Sequence, residues 1–184
     1  MLPNNADVVI DEFKQAVTTS CAIHGASLTG IRRLADDMVK APRSPKNPDP
    51  TIAFSDGDPN LPTTRHAGRV PFSRFMALAA EGGLAEQRLG HQLVVFVYTI
   101  WESEYRPKLA SALQVPPNNV EVPILGDLRR IRNDVVHNRG IASADHTAKC
   151  VELRWFSAGD PILVRHEHII ELDEKVQSLI FTTC

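Results

Sequence analysis

Leu125-Gly-Asp-Leu-Arg-Arg-Ile-Arg-Asn-Asp-Val-Val-His-Asn-Arg-Gly140 combines clear helical periodicity with the densest group of polar side chains in the sequence. At about 100° per residue, Ile124, Leu128, Ile131 and Val135 fall on one narrow stripe that must be buried. Arg130, Asn133 and His137 lie opposite it, with Asp134 beside them, and Arg132 sits on a flank with Leu125, Val136 and Arg129. The spacing predicts a helix over Ile124–Asn138, preceded by Pro123 and stopped by Gly140. A helix with one apolar stripe needs other helices to cover it, so this stretch points to a bundle.

The flanking sequence supplies those helices. From Asp7 to Lys40, Ile10, Phe13, Val17, Cys21, Leu28, Ile31, Leu34 and Met38 recur at helical steps. Asn5 is placed to cap this helix, Asp7 favours its dipole, and Gly25 or Gly30 is a point where it can divide. A short helix is expected over Ser73–Ala80, ended by Gly82-Gly83, and a long one over Leu84–Leu113. The centre of the long helix, Leu93-Val94-Val95-Phe96-Val97-Tyr98, is apolar on nearly all sides and reads as the most buried segment. Pro107 should kink it or restart it after Arg106. A final helix is expected over His168–Phe181.

Two stretches depart from this pattern. Seven of the thirteen prolines lie between Pro42 and Pro71, which reads as a Pro-rich surface loop with a short strand at Thr51–Ser55. Lys149–Phe156 alternates in character, and the turn Ser157–Pro161 leads to Ile162–Arg165, so a β-hairpin is expected near residues 149–165. The expected fold is mainly α, an up-and-down bundle of four to five helices with one small hairpin, in a single domain spanning 1–184.

Composition excludes several classes. The chain has 184 residues, is 43% hydrophobic and 23% charged, and carries a net charge of −2. It is therefore not disordered throughout and has no global basic field of the kind that holds DNA non-specifically. A local basic patch exists, because Arg129, Arg130, Arg132 and Arg139 fall within eleven residues. Three cysteines without a CxxC pair suggest neither a metal site nor a disulfide framework. No apolar run approaches the roughly 20 residues a membrane span requires, and the first residues lack signal-peptide order. These features suggest a cytoplasmic protein without a membrane span.

The side chains around Arg132 and His137 suit phosphodiester chemistry. Histidine exchanges protons near neutrality, and a guanidinium pairs with phosphate oxygens while keeping its charge. An asparagine amide can orient either partner. On the ideal wheel Arg132 and His137 point about 140° apart, so they reach one substrate only if Arg132 curls round the helix or if two copies of the helix face each other. Leu125 and Val136 offer a small apolar flank for such pairing. From residue types alone a solvated helix end explains the same side chains at least as well. Glu102 and Arg106 are spaced as a helix-stabilising ion pair that could border the cleft, and Trp101 and Tyr105 read as core or interface aromatics.

Arg132-Asn133-Asp134-Val135-Val136-His137 resembles the Arg-polar-x-x-x-His signature of the HEPN superfamily (higher eukaryotes and prokaryotes nucleotide-binding), here with four residues between arginine and histidine. Leu128-Arg129-Arg130-Ile131 and Asn138-Arg139-Gly140 also resemble bacterial members, and Trp101–Pro107 is similar to a stretch of related uncharacterised proteins. The resemblance implies a dimeric helical bundle acting as a metal-independent endoribonuclease. RNA would be cleaved by attack of its own 2′-hydroxyl, in a toxin or phage-defence role, without a cofactor or metal. It assigns Arg132 and His137 as the catalytic pair and Asn133 as their polar support. Arg129, Arg130, Asn138 and Arg139 would hold phosphate, and Asp134, Glu102, Arg106 and Tyr105 would support the cleft. An antitoxin or nucleotidyltransferase partner fits the same family. The alternative is an inactive module of this type that binds nucleotide, RNA or a protein.

Overall fold

The computed structural model describes residues 5–58 and 61–179. The described residues are mainly helical, with one two-stranded antiparallel sheet among them. Its helices are α1 (Asn5–Lys40), α2 (Phe72–Ala79), α3 (Leu84–Ile100), α4 (Arg106–Leu113), α5 (Pro123–His137), α6 (Ala144–Thr147) and α7 (His166–Gln177), and its strands are β1 (Thr51–Ser55) and β2 (His66–Pro71). By internal contact the chain divides into two compact units, Met1–Ala26 with Gln87–Cys184 and Ser27–Glu86.

The larger unit is a helical bundle around one continuous core. Its buried side chains follow the expected steps: Ile10, Phe13 and Val17 on α1, Leu93, Val94 and Val97 on α3, Ile124, Leu128 and Ile131 on α5, and Ile169, Leu172 and Val176 on α7. Two expectations fail here. The centre of α3 is not buried all round, since Phe96 is 51% exposed. Leu125 is not available as a surface flank, because it belongs to the core.

Between α3 and α4, Trp101–Tyr105 forms a π turn, in which the Arg106 N–H donates to Trp101 O. Pro107 supplies the reason. It cannot donate an N–H, and its ring crowds the carbonyl four residues back, so the wider turn accommodates it and α4 restarts at Arg106. α1 runs unbroken through Gly25 and Gly30, and among the described residues no atom beyond the local helix backbone lies within 4 Å of where either Cβ would sit. Asn5 is its first helical residue, and the capping position falls outside the described residues. The last helix starts at His166 and ends at Gln177, with Ser178 as its C-cap, so it stops short of the expected Phe181, which itself lies outside the described residues.

The hairpin expected near 149–165 does not form. In an extended strand successive N–H groups point to opposite sides. Here the N–H groups of Val151, Glu152 and Leu153 all converge on Asp127 Oδ2, at 2.8, 2.6 and 2.9 Å. The segment therefore wraps a carboxylate, and among the described residues an isolated bridge, Ile141 with Pro161, takes the place of the expected ladder.

The sheet lies instead in the smaller unit, inside the Pro-rich stretch read as a loop. Ile52 pairs with Val70 and Phe54 with Gly68. Ile52 and Val70 pack on Phe75 and Ala79 of α2 and Ala35 of α1. Asp56 accepts from the Arg65 N–H and Nε–H, each at 2.9 Å, and so ties the connection between the strands.

Candidate functional site

α5 positions the residues singled out by sequence. Its stripe of Ile124, Leu128 and Ile131 fixes the rotation of the helix against the core, and two carboxylates beside that stripe fix what lies next to it. Asp127 is fully buried, and besides its three backbone donors it accepts from Arg130 Nη1 at 2.7 Å. Two turns on, Asp134 is also buried. Its Oδ2 accepts from the Ser143 N–H at 2.8 Å and the Ser143 hydroxyl at 3.2 Å, and its Oδ1 accepts from His146 Nδ1 at 2.7 Å. Ser143 in turn caps α6. Asp134 is thus turned to the 143–146 segment rather than to a cleft beside His137, because two backbone-ordering donors and an imidazole satisfy it there. Arg130 remains partly exposed, but one side of its guanidinium is committed to Asp127.

Arg132 and Asn133 come together. Arg132 Nη1 donates to Asn133 Oδ1 at 3.0 Å, and both side chains are half-buried. Arg132 Nε is enclosed and has no hydrogen-bond partner among the described residues. Among the described residues no carboxylate forms an ion pair with Arg132. His137, the last residue of α5, is exposed. No hydrogen bond joins it to Arg132 or Asn133 among the described residues. Asn138 is used structurally, its Nδ2 donating to Ile141 O at 2.6 Å. Arg139 is exposed, with a left-handed φ of 56°, and Gly140 follows at φ 73°. A Cβ on Gly140 would come within 2.7 Å of His91 Cε1, so this turn packs directly over the buried His91 ring. His91 Nε2 faces Ile162 O at 2.8 Å, and since a carbonyl only accepts, that nitrogen carries the proton. Burial lowers the pKa of this imidazole, against the raising effect of the Ile162 bond.

The π turn and the first half of α5 enclose a cleft of about 350 Å³, lined by Tyr98, Glu102, Arg106, Glu121, Arg129 and Arg130 among others. The Tyr98 hydroxyl donates to Glu102 Oε2 at 3.1 Å, Arg106 Nη1 pairs with the same carboxylate at 3.2 Å, and Arg106 Nε donates to Pro117 O at 2.9 Å. Burial, reinforced by Glu102, raises the pKa of Tyr98, which keeps the phenol a donor. Tyr105 is not part of this cleft. Its ring packs on Phe13 at 5.3 Å, with Lys108 above it.

A second groove, shallow and more apolar, runs between Phe96 and Val95 of α3 and Val135 of α5, edged by Arg88, His91 and Gln92. Val136, one turn after Arg132, is 48% exposed. Among the described residues no three His, Cys, Asp or Glu side chains are grouped to hold a metal, and no helix is long and apolar enough to cross a membrane.

Sequence reasoning missed the anchoring roles of Asp127 and Asp134 and the π turn. The wheel carried a signal for the first, since both aspartates fall about 40–60° from Ile131, at the edge of the buried stripe. Comparisons with family models, with curated proteins and with solved structures yield no match.

Proposed function

We propose that this protein is a metal-independent endoribonuclease of HEPN type, acting in the cytoplasm as a homodimer. The observation that carries the reading is the state of Arg132. Its guanidinium is half-buried, has no carboxylate partner among the described residues, and leaves one enclosed N–H unsatisfied. A partly buried cation without a counter-ion is costly, and an anion that supplies both charge and acceptors removes the cost. A phosphate has both. Asn133 holds the guanidinium from one side and leaves its other donors for the ligand.

The chemistry then follows from residue types. The 2′-hydroxyl of the RNA attacks the adjacent phosphorus, and the 5′-oxygen leaves. His137 exchanges the proton, and Arg132 stabilises the charge that builds on the non-bridging oxygens. The products are a 2′,3′-cyclic phosphate and a free 5′-hydroxyl. Because Arg132 and His137 of one chain diverge by about 140° on the helix, the reading places two α5 helices across a two-fold axis, so that each cleft draws on both chains. Val136 and Phe96 supply the exposed apolar surface for that contact, in place of Leu125. A toxin or phage-defence role, with an antitoxin or nucleotidyltransferase as partner, accords with this activity.

The test is cleavage of RNA by the purified chain in EDTA. Arg132→Ala and His137→Ala should each lower the rate by roughly 10²–10⁴-fold. Their melting temperatures should stay near that of the parent, since neither side chain is in the core. Undiminished cleavage in both variants refutes the assignment. Tight RNA binding without new cyclic phosphate ends favours the inactive binding module.

A further inference from the structure

We propose that the cleft between the π turn and the first half of α5 is a subsite for one nucleotide of the RNA, with its phosphate on Arg129 and its base toward the Val120–Pro123 end. The ribonuclease reading supplies the identity of the polymer, and the cleft supplies the chemistry. Its volume of about 350 Å³ falls within the range that accepts small ligands. Three guanidiniums line it, in different states. Arg106 is bound to Glu102 and Pro117, and Arg130 is bound to Asp127. Arg129 is exposed and has neither an ion pair nor a hydrogen bond among the described residues. It is therefore the cation free to take an anion, while the two paired arginines, each with five N–H donors, retain donors to assist it.

The carboxylates set the orientation. Glu102 and Asp127 are neutralised by their arginines, but Glu121, exposed just before α5, has no ion pair or hydrogen bond among the described residues. It repels phosphate and attracts N–H donors. Arg129 lies six residues beyond Pro123, about 9 Å of helix rise. The cleft is thus polarised, with a free cation at one end, a free carboxylate at the other, and Tyr98 and Trp101 in the wall. A nucleotide has the matching polarity: an anion at one end and a flat base bearing N–H groups at the other. Arg129 also precedes Arg132 by one turn of the same helix, about 4.5 Å of rise. A strand with its scissile phosphate on Arg132 brings its neighbouring nucleotide to this cleft.

The probes are a short 2′-O-methyl RNA, which has no nucleophilic hydroxyl, the nucleoside 5′-monophosphates, and inorganic phosphate, each titrated against the full chain. Arg129→Ala should weaken the 2′-O-methyl RNA and the monophosphates about tenfold or more, as expected for loss of a charge-assisted hydrogen bond. Glu121→Gln should narrow the preference for nucleotide over inorganic phosphate. Amide signals of Tyr98 and Gly126 should shift on titration with nucleotide. Unchanged affinity in Arg129→Ala with unmoved Tyr98 and Gly126 signals overturns the subsite, whether or not the protein cleaves RNA. Inorganic phosphate binding as tightly as nucleotide overturns the base end, and monophosphates binding more tightly than the RNA overturn the assignment to a polymer. Arg129-dependent binding of a nucleotide by a chain that cleaves nothing leaves the subsite standing and removes the nuclease reading alone.

Discussion

Replacing Asp127 with alanine should be among the most damaging single changes in α5. The side chain is fully buried and accepts four hydrogen bonds, three from the N–H groups of Val151, Glu152 and Leu153 and one from Arg130. Hydrogen bonds to a charged group contribute about 1.5–3 kcal/mol each. The full sum is not lost, because Val151 and Glu152 are exposed and their N–H groups rehydrate. Leu153 is 1% exposed, so its N–H stays without a partner at a cost of about 1–3 kcal/mol. With Arg130 released as well, Asp127→Ala should cost about 3–5 kcal/mol, a large part of a domain stability of about 5–15 kcal/mol. Asp127→Asn keeps an oxygen for the three N–H groups but not the charge, and should cost roughly half as much. Urea denaturation followed by circular dichroism reads both. A loss below about 1 kcal/mol in Asp127→Ala, or a greater loss in Asp127→Asn, would refute the claim that this carboxylate organises the 151–153 segment.

Gly140→Ala forces a φ of 73° on an L-residue and drives its Cβ against His91, and it should lower the unfolding free energy by about 2–4 kcal/mol. Gly25→Ala and Gly30→Ala, inside α1 with open space around each Cβ, should each stabilise by about 0.5–1 kcal/mol, read as a rise in the urea midpoint. His91 gives a pH dependence of known sign. Its folded pKa is lowered by burial and by the nearby Arg88, so the unfolded chain takes up a proton first as pH falls. Its contribution is complete above the ordinary histidine value near 6.5 and is lost as pH drops below it. The urea midpoint should therefore fall between pH 7 and pH 5, and the fall should be shallower in His91→Gln, whose amide can still donate to Ile162.

The helices were legible because their signal is local. Apolar residues at steps of three and four place Ile10, Phe13 and Val17, and likewise Ile124, Leu128 and Ile131, on one side of a helix whatever the rest of the chain does. Pro107 announced a disturbance, although not that a π turn would absorb it. The sheet was misplaced for a tertiary reason. Alternation at 149–156 describes a strand only if its N–H groups are free to pair, and Asp127, twenty-four residues upstream of Val151, takes three of them. Conversely, the prolines of 42–71 lie largely outside β1 and β2, with Pro71 at the end of β2, and Ile52 and Val70 find a partner in α2 that no local pattern reveals. At the candidate site the sequence picked out Arg132, Asn133 and His137 as polar residues off the core stripe. It could not tell that Asn138 would be spent on Ile141, that Tyr105 would lie on Phe13, or that Asp134 would turn toward Ser143 and His146.

In the reaction proposed above, the 2′-hydroxyl of RNA is the nucleophile and Arg132 and His137 form the site. A chimeric oligonucleotide with a single 2′-deoxy residue at the cleaved position, compared with the all-ribose strand in EDTA, measures this directly. Complete resistance at that position and a 2′,3′-cyclic phosphate end on the all-ribose product are expected. Cleavage of the deoxy-substituted bond at the parent rate would contradict it.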